Sequence, residues 1–282
     1  ILLTKLYIIF FMKKTIQIIS SSLILLFLLM GCSRKESLEP IKFMSYNIHI
    51  ASPPSILPAF SSTDLPAVAN VIARVSPDFV AMQEVDKYTV RSGKDSHQAK
   101  DIAELTGMFY HFADAVDRSE GVQGVAVLSK YPILQADSYK LPTPETSDGE
   151  TRSLAVILTE VEKTKVVFMS VHLDHRSDVD RQYQVEQILE YTKKYDEYPI
   201  VFGGDFNMKP DNEVFKILEK QFMMVTSDHP LTFPETNPRI TIDFILLNKK
   251  AMEVFEVVDY YTVDEQYASD HLPLILELRF RN

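Results

Sequence analysis

The 282-residue chain carries 29 basic and 39 acidic residues for a formal net charge of −10, with 46% hydrophobic residues, one cysteine, no tryptophan and eight glycines. That much apolar content can bury a substantial core, which excludes global disorder, and a single cysteine excludes both a disulfide framework and a zinc site built from several cysteines. The acidic balance argues against a chain-wide basic surface for polyanions, and it leaves open the chemistry of a hard cation held by oxygen and imidazole ligands.

The first 31 residues differ from the rest: Lys5, Lys13 and Lys14 are basic, none is acidic, and 15–30 is apolar apart from Thr15, Gln17 and Ser20–Ser22. A charged stretch followed by an apolar run is the pattern of a secretory signal. Met12, directly before Lys13 and Lys14, is a natural start, so 1–11 is read as an upstream translation artefact. The run ends in Leu29-Met30-Gly31-Cys32, which resembles the bacterial lipobox and implies lipid attachment at Cys32 with cleavage before it. Ser33 follows, so the aspartate signal for inner-membrane retention is absent, and a lipid-anchored protein of the bacterial envelope, on the outer rather than the inner membrane, is expected. Loss of the leader removes three of the 29 basic groups and none of the 39 acidic ones, taking the net charge from −10 to about −13. Residues 32–40 read as the lipidated cysteine and a short polar tether, and 41–282 as one globular domain.

Within that domain, strand-like segments rich in aliphatic and aromatic residues fall at 41–48, 79–83, 122–128, 153–161, 165–171, 199–202, 240–247, 253–261 and 272–280. Helices are expected at 64–75, with Thr63 or Asp64 as cap and Pro66 in the first turn, and at 98–105, 178–195 and 211–220. The middle of the domain, 122–171, reads as consecutive strands, whereas its flanks alternate strand and helix. Two sheets with helices packed outside fit that order best. The stretches 52–58 and 142–150 read as surface loops.

Polar groups recur at the ends of apolar strands. Val201-Phe202-Gly203-Gly204 leads into Asp205 and Asn207, two residues apart and so on the same side of an extended chain; an ordinary β-turn is the alternative for that segment alone. Asn47 ends a strand, Glu84 follows Phe79–Gln83, and His172, Asp174 and His175 follow Phe168–Val171. Asp243 lies after Ile240-Thr241-Ile242, and Asp270 with His271 precedes the last strand. Polar groups set in apolar strands are costly to bury unless paired or bound to a metal, and six segments doing so together point to one shared cleft. Arg152, opening a strand after an acidic loop, fits either a phosphate contact or a surface salt bridge. His49, Asp174 and His175 lie beside these residues in supporting or structural roles. His97, His111 and His229 have no such context and are expected on loops or at the surface, while Asp178, Asp180 and Arg181 cap and decorate a helix.

In order, SYN at 45–47, MQEVD at 82–86, SVHLDH at 170–175, GGDFN at 203–207, IDFIL at 242–246 and SDHLP at 269–273 resemble the endonuclease/exonuclease/phosphatase superfamily, the DNase I-like metal-dependent phosphoesterases. GVAVLSKYPI at 124–133 and the TFP and NPRITID stretches of 232–243 add to the likeness, which spans 41–280. The resemblance implies an α/β fold, a four-layer α/β/β/α sandwich of two mixed β-sheets with outer helices and the active site at one edge of the sheets. It further implies that Asn47, Glu84 and Asp270 surround Mg²⁺ or Mn²⁺, as one ion or two. His271 would take a proton from the attacking water or stabilise it, with Asp243 fixing its tautomer. Asp205 would align and activate that water, Asn207 would hold a phosphate oxygen, and His172 would donate to the transition state.

The expected function is a divalent-metal-dependent phosphoesterase that hydrolyses a phosphodiester or phosphomonoester by in-line attack of water, exported, lipid-anchored and monomeric. An extracytoplasmic nuclease of the same fold and a non-catalytic surface binding lipoprotein are the alternatives. Nucleic acid is not the favoured substrate, because no run of three consecutive Lys or Arg residues follows the leader and a nuclease wants basic residues along its phosphate track.

Overall fold

The computed structural model of the protein describes residues 39–281, so the leader, Cys32 and most of the tether lie outside the described residues. In chain order the elements are β1 (Ile41–Asn47), α1 (Leu65–Val75), β2 (Phe79–Lys87), α2 (Gln98–Thr106), β3 (Phe109–Arg118), β4 (Gly121–Ser129), β5 (Ile133–Leu141), β6 (Arg152–Val161), β7 (Thr164–His172), α3 (Asp178–Thr192), β8 (Ile200–Asp205), α4 (Phe215–Leu218), β9 (Phe222–Met224), β10 (Asp243–Asn248), α5 (Lys249–Val254), β11 (Phe255–Thr262) and β12 (Leu274–Phe280). They form two six-stranded sheets, β11-β12-β1-β2-β4-β3 and β5-β6-β7-β8-β10-β9.

Each sheet is antiparallel except at its centre, where β1 runs parallel to β2 and β7 parallel to β8. A parallel neighbour needs a crossover, and α1 and α3 supply it in the two halves. Asp64 caps α1, its carboxylate accepting the amide of Ala67, and Ser177 caps α3 through the amide of Asp180.

Alternation along the strands sorts the apolar side chains into three layers. Phe43, Phe79, Ala81, Val125, Ile157, Phe168, Val201 and Ile245 fill the space between the sheets. Met44, Tyr46, Val80, Met82 and Leu128 face the other way, onto Val68 and Ile72 of α1 and Ile102 of α2. Leu154, Val167, Met169, Phe202, Phe244 and Leu246 meet Val185 and Ile188 of α3 and Phe215 of α4. The result is the expected four-layer α/β/β/α sandwich. Central strands buried on both faces explain the continuous apolar runs of the sequence.

The space between the sheets changes character along its length. At one end Phe43, Phe79 and Phe168 pack with ring centroids 5.1–5.6 Å apart. Toward the other end a Cβ on Gly203 would lie 3.0 Å from Ala81 Cβ and 3.4 Å from Ser45 Cβ, so the sheets approach closely there. Beyond that narrowing the contact is polar: Gln83 Nε2 donates to Ser170 Oγ at 3.1 Å, and Ser170 Oγ donates to the Met82 carbonyl at 3.1 Å.

Several expected elements differ. β3, β5 and β9 lie where no strand was expected; β3, β5 and β9 are all sheet edges, and β3 and β5 carry polar residues at many positions. The helix expected at 211–220 shrinks to the single turn Phe215–Leu218, because the 211–214 stretch is turns stabilised by the Asn212 side chain accepting the amide of Val214. The strand expected from 253 begins at Phe255, after α5. His97 is not a surface residue: it is buried, accepts the amide of Lys100 at the start of α2, and packs edge-on to Tyr88, Tyr110 and Phe112. His111 lies within β3, near the Asp137 carbonyl, and His229 packs its ring against Phe244.

Candidate active site

Because β1, β2, β7 and β8 point the same way, their C-terminal ends share one edge of the sandwich, and the six polar segments converge there. Register fixes the pairs: His172 lies opposite Asp205, Asp243 opposite Asp205, and Asn47 opposite Gln83. Asn47, His172, Asp205, Asp243 and His271 are all buried, while Glu84, Asn207 and Asp270 are partly exposed.

Asn47 is the hub on the first sheet. Its Nδ2 donates to Glu84 Oε1 at 3.2 Å and to Asp205 Oδ2 at 3.1 Å, so one amide ties the two sheets together. Its Oδ1 accepts the amide of His49 at 3.0 Å, and its carbonyl accepts Ser269 Oγ at 2.6 Å, bringing the Asp270–His271 pair alongside. His49 Nε2 stands 3.9 Å from Asp270 Oδ2. Two backbone features put these groups in reach. A register shift between Met82 and Val85 leaves Glu84 in the left-handed region (φ 54°), turning it out of the strand's alternation. His49, Ile50 and Ala51 follow one another at positive φ of 48–54° in a tight turn beside the site. Non-glycine residues rarely hold that conformation, and such strain gathers at functional sites.

From the loop ahead of β12, His271 reaches the second sheet: its Nδ1 lies 2.9 Å from Asp243 Oδ2 and its Nε2 is 3.8 Å from Asp205 Oδ2. His172 Nε2 approaches the same Asp205 oxygen at 3.5 Å. The Asn207 amide donates to Asp205 Oδ1 at 2.9 Å, and its side-chain Nδ2 donates to the Leu173 carbonyl at 3.0 Å. Asn207 is also left-handed (φ 52°), which lets the chain turn back around Asp205.

Arg152 is 7% exposed and lies against His172 and His175. Asp174 is fully buried and accepts the amides of Glu150, Arg176 and Ser177, which fixes the turn carrying His175. The sequence did not single out the Thr232–Glu235 loop as part of the site. Thr232 Oγ1 accepts the Ile242 amide at 3.2 Å, the Thr232 carbonyl accepts the Leu272 amide, and the Glu235 amide donates to the Asp270 carbonyl. Phe233 lays its ring 4.9 Å from that of His271. Only the resemblance of 232–243 to family text marked that loop.

The electrostatics separate the titratable groups. Burial opposes charge on His271, but Asp243, Asp205 and Asp270 outweigh it and raise the imidazole to about 10. Burial, then the Asp243 charge, raises Asp205 to about 7 against the pull of His271, Asn47 and the Asn207 amide. Burial and the neighbouring Arg152, His271 and His175 hold His172 well below the ordinary histidine value. Pairs of groups whose environments drive them apart mark acid and base assignments.

Asp205, Asp243 and His271 each offer a ligand atom within 4.8 Å of the others, a buried group that could bind a metal ion. The edge fits a hard cation: Glu84 and Asp270 offer partly exposed carboxylates beside Asn47, and Asp243 Oδ1 is a further oxygen, buried with no hydrogen-bond partner among the described residues. The trio of Asp205, Asp243 and His271 differs from the expected set of Asn47, Glu84 and Asp270, which flanks it across Asn47.

A model described as the Endonuclease/Exonuclease/phosphatase family matches residues 44–271. The Escherichia coli protein YbhP is 25% identical over 228 residues, covering 76% of this chain and 88% of its own. Among solved structures, a functionally unknown conserved protein from Enterococcus faecalis superposes with a TM-score of 0.70 at 22% identity, over 86% of this chain and 100% of that one. The Bacteroides thetaiotaomicron mannosyl-6-phosphatase superposes with a TM-score of 0.68 at 18% identity, over 85% of this chain and 100% of that one.

Proposed function

The chain belongs to the endonuclease/exonuclease/phosphatase family, and on that premise we propose that it is a divalent-metal-dependent phosphoesterase that hydrolyses its substrate by in-line attack of water. The observation that carries this reading is the buried Asp243–His271 pair at 2.9 Å facing Asp205. It supplies a fixed imidazole and a separate carboxylate aimed at one point.

In this reading Glu84 and Asp270, with Asn47 between them, hold Mg²⁺ or Mn²⁺. A cation held there would supply Lewis-acid charge neutralisation for the phosphoryl oxygens. Asp205, raised to about 7, accepts the proton of the attacking water near neutral pH. The new P–O bond forms as the bond to the leaving group breaks, and the leaving oxygen takes up a proton from solvent. His271, held as imidazolium by Asp243, and His172 donate to the charge that develops on the phosphoryl oxygens. Asn207 keeps Asp205 aligned through its amide and offers its side chain to a phosphate oxygen.

A small phosphoester is the substrate class we favour over nucleic acid. The acidic chain lacks a basic run after its leader, and one of the structures sharing its fold is a mannosyl-6-phosphatase. We further propose that the protein is exported, monomeric and held in the bacterial envelope by lipid at Cys32.

The test is hydrolysis of bis-p-nitrophenyl phosphate and p-nitrophenyl phosphate by the purified protein in Mg²⁺, Mn²⁺ or EDTA. Turnover that requires the cation and falls about 10²-fold or more in His271→Ala is expected, the scale of a lost transition-state donor. Metal-independent turnover, or undiminished turnover in His271→Ala, overturns the mechanism.

A further inference from the structure

Arg152 opens β6 and is almost wholly buried beside the site, yet of the residues given a role in the reaction it touches only His172. Its Nη1 lies 3.4 Å from His172 Nδ1, its Nη2 lies 3.2 Å from His175 Nδ1 and 3.8 Å from Glu150 Oε2, and its Nε has no partner among the described residues. Glu150 is itself occupied by Arg118 Nη2, which donates to its other oxygen at 2.7 Å. Two neighbouring imidazoles thus share one guanidinium edge.

A guanidinium has N–H donors and no acceptor. A ring nitrogen that meets it in a hydrogen bond must present its lone pair. Nδ1 is therefore the acceptor in both rings, and the proton of each neutral ring sits on Nε2. For His172 this nitrogen points to Asp205 Oδ2, 3.5 Å away, where a phosphoryl oxygen would arrive. His175 is exposed, and the Asp174 turn holds it at the rim of the same edge. One buried cation thus presets two donors with the same tautomer, a feature that a plain surface salt bridge would not need.

Resting on the phosphoesterase reading, we propose that Arg152 is a positioning residue that fixes His172 and His175 as Nε2–H donors, and that His175 is a second substrate-binding group for an oxygen of the phosphoester. Arg152 then acts on the substrate through the imidazoles rather than by direct contact. A lysine at this position keeps a charge but cannot serve two rings with two parallel donors.

The experiment is two-bond ¹⁵N–¹H correlation spectroscopy of the histidine-labelled protein, with assignments from His172→Gln and His175→Gln. Both rings are expected as Nε2–H in the wild type. In Arg152→Met, similar in length but without donors, both rings are expected to become mixtures of tautomers and kcat to fall about 10²-fold, the effect of misdirecting the His172 transition-state donor. Arg152→Lys should keep one ring fixed and recover part of kcat. His175→Ala should raise KM several-fold with kcat little changed, the signature of binding shared by ground and transition states. A wild-type Nδ1–H tautomer in either ring, or unaltered tautomers in Arg152→Met, overturns the proposal, and the wild-type spectrum decides it even if the variant fails to fold. Nε2–H rings in a protein that hydrolyses no phosphoester would instead count against the phosphoesterase reading and leave the tautomers standing.

Discussion

His172 and His271 approach the same Asp205 oxygen and yet are driven in opposite directions. Burial and cationic neighbours lower His172, while three carboxylates overcome burial and raise His271 to about 10. Each shift is also a statement about stability. For His172 the folded value lies below the ordinary 6.5, so the unfolded chain takes a proton first as pH falls, and stability drops below about pH 6.5. For His271 the folded value lies above it, so its contribution is complete below 6.5 and is lost as pH rises through about 10. Asp205, raised to about 7, takes up a proton in the folded chain over the same range and works the other way, so the His172 effect is read as a difference. In urea unfolding in EDTA, His172→Gln, which cannot be protonated, is expected to gain stability relative to the wild type from pH 7 to pH 5. An equal slope in the variant would show that His172 carries no such effect. At this scale the sequence was informative about which residues meet and uninformative about their state. The Asp243–His271 pair was expected from its motifs, whereas the lowering of His172 depends on Arg152, 20 positions away, and on depth of burial. His97 shows the same limit: nothing around it in the sequence signals that three aromatic rings enclose it.

Among elements, β8 leaves no room for a side chain at its site end. A Cβ on Gly204 would lie 2.5 Å from the Val171 carbonyl oxygen and 2.6 Å from Val171 Cγ1. No side-chain rotation removes a backbone clash, so Gly204→Ala must shift β7 from β8, at the register that sets His172 against Asp205. A loss of about 1–3 kcal/mol in urea unfolding is expected, the usual range for overpacking. The loss in kcat should be larger than that stability change alone would suggest. The central strands were legible because both their faces are buried, giving unbroken apolar runs. β3 and β5 were not, because edge strands mix polar and apolar residues and their spacing resembles a loop's. The left-handed Glu84 left no trace either, since a register shift is a relation between two strands and cannot be seen in one.

For the whole molecule, the order of strands and helices was enough to suggest two sheets between helical layers, and three separate apolar clusters bear this out. The leader lies outside the described residues, and its reading rests on the sequence of 1–33 alone. With lipid at Cys32, Cys32→Ser should appear in the soluble fraction or as unprocessed precursor on fractionation and immunoblotting. A fully processed, membrane-bound variant would contradict attachment there. β1 enters the fold at Ile41 and reaches the site at Asn47, roughly 20 Å further on at about 3.3 Å per residue. The described domain is thus entered at the end of β1 remote from Asn47, so the first residues of the fold and the groups that would meet a phosphoester occupy opposite ends of one strand.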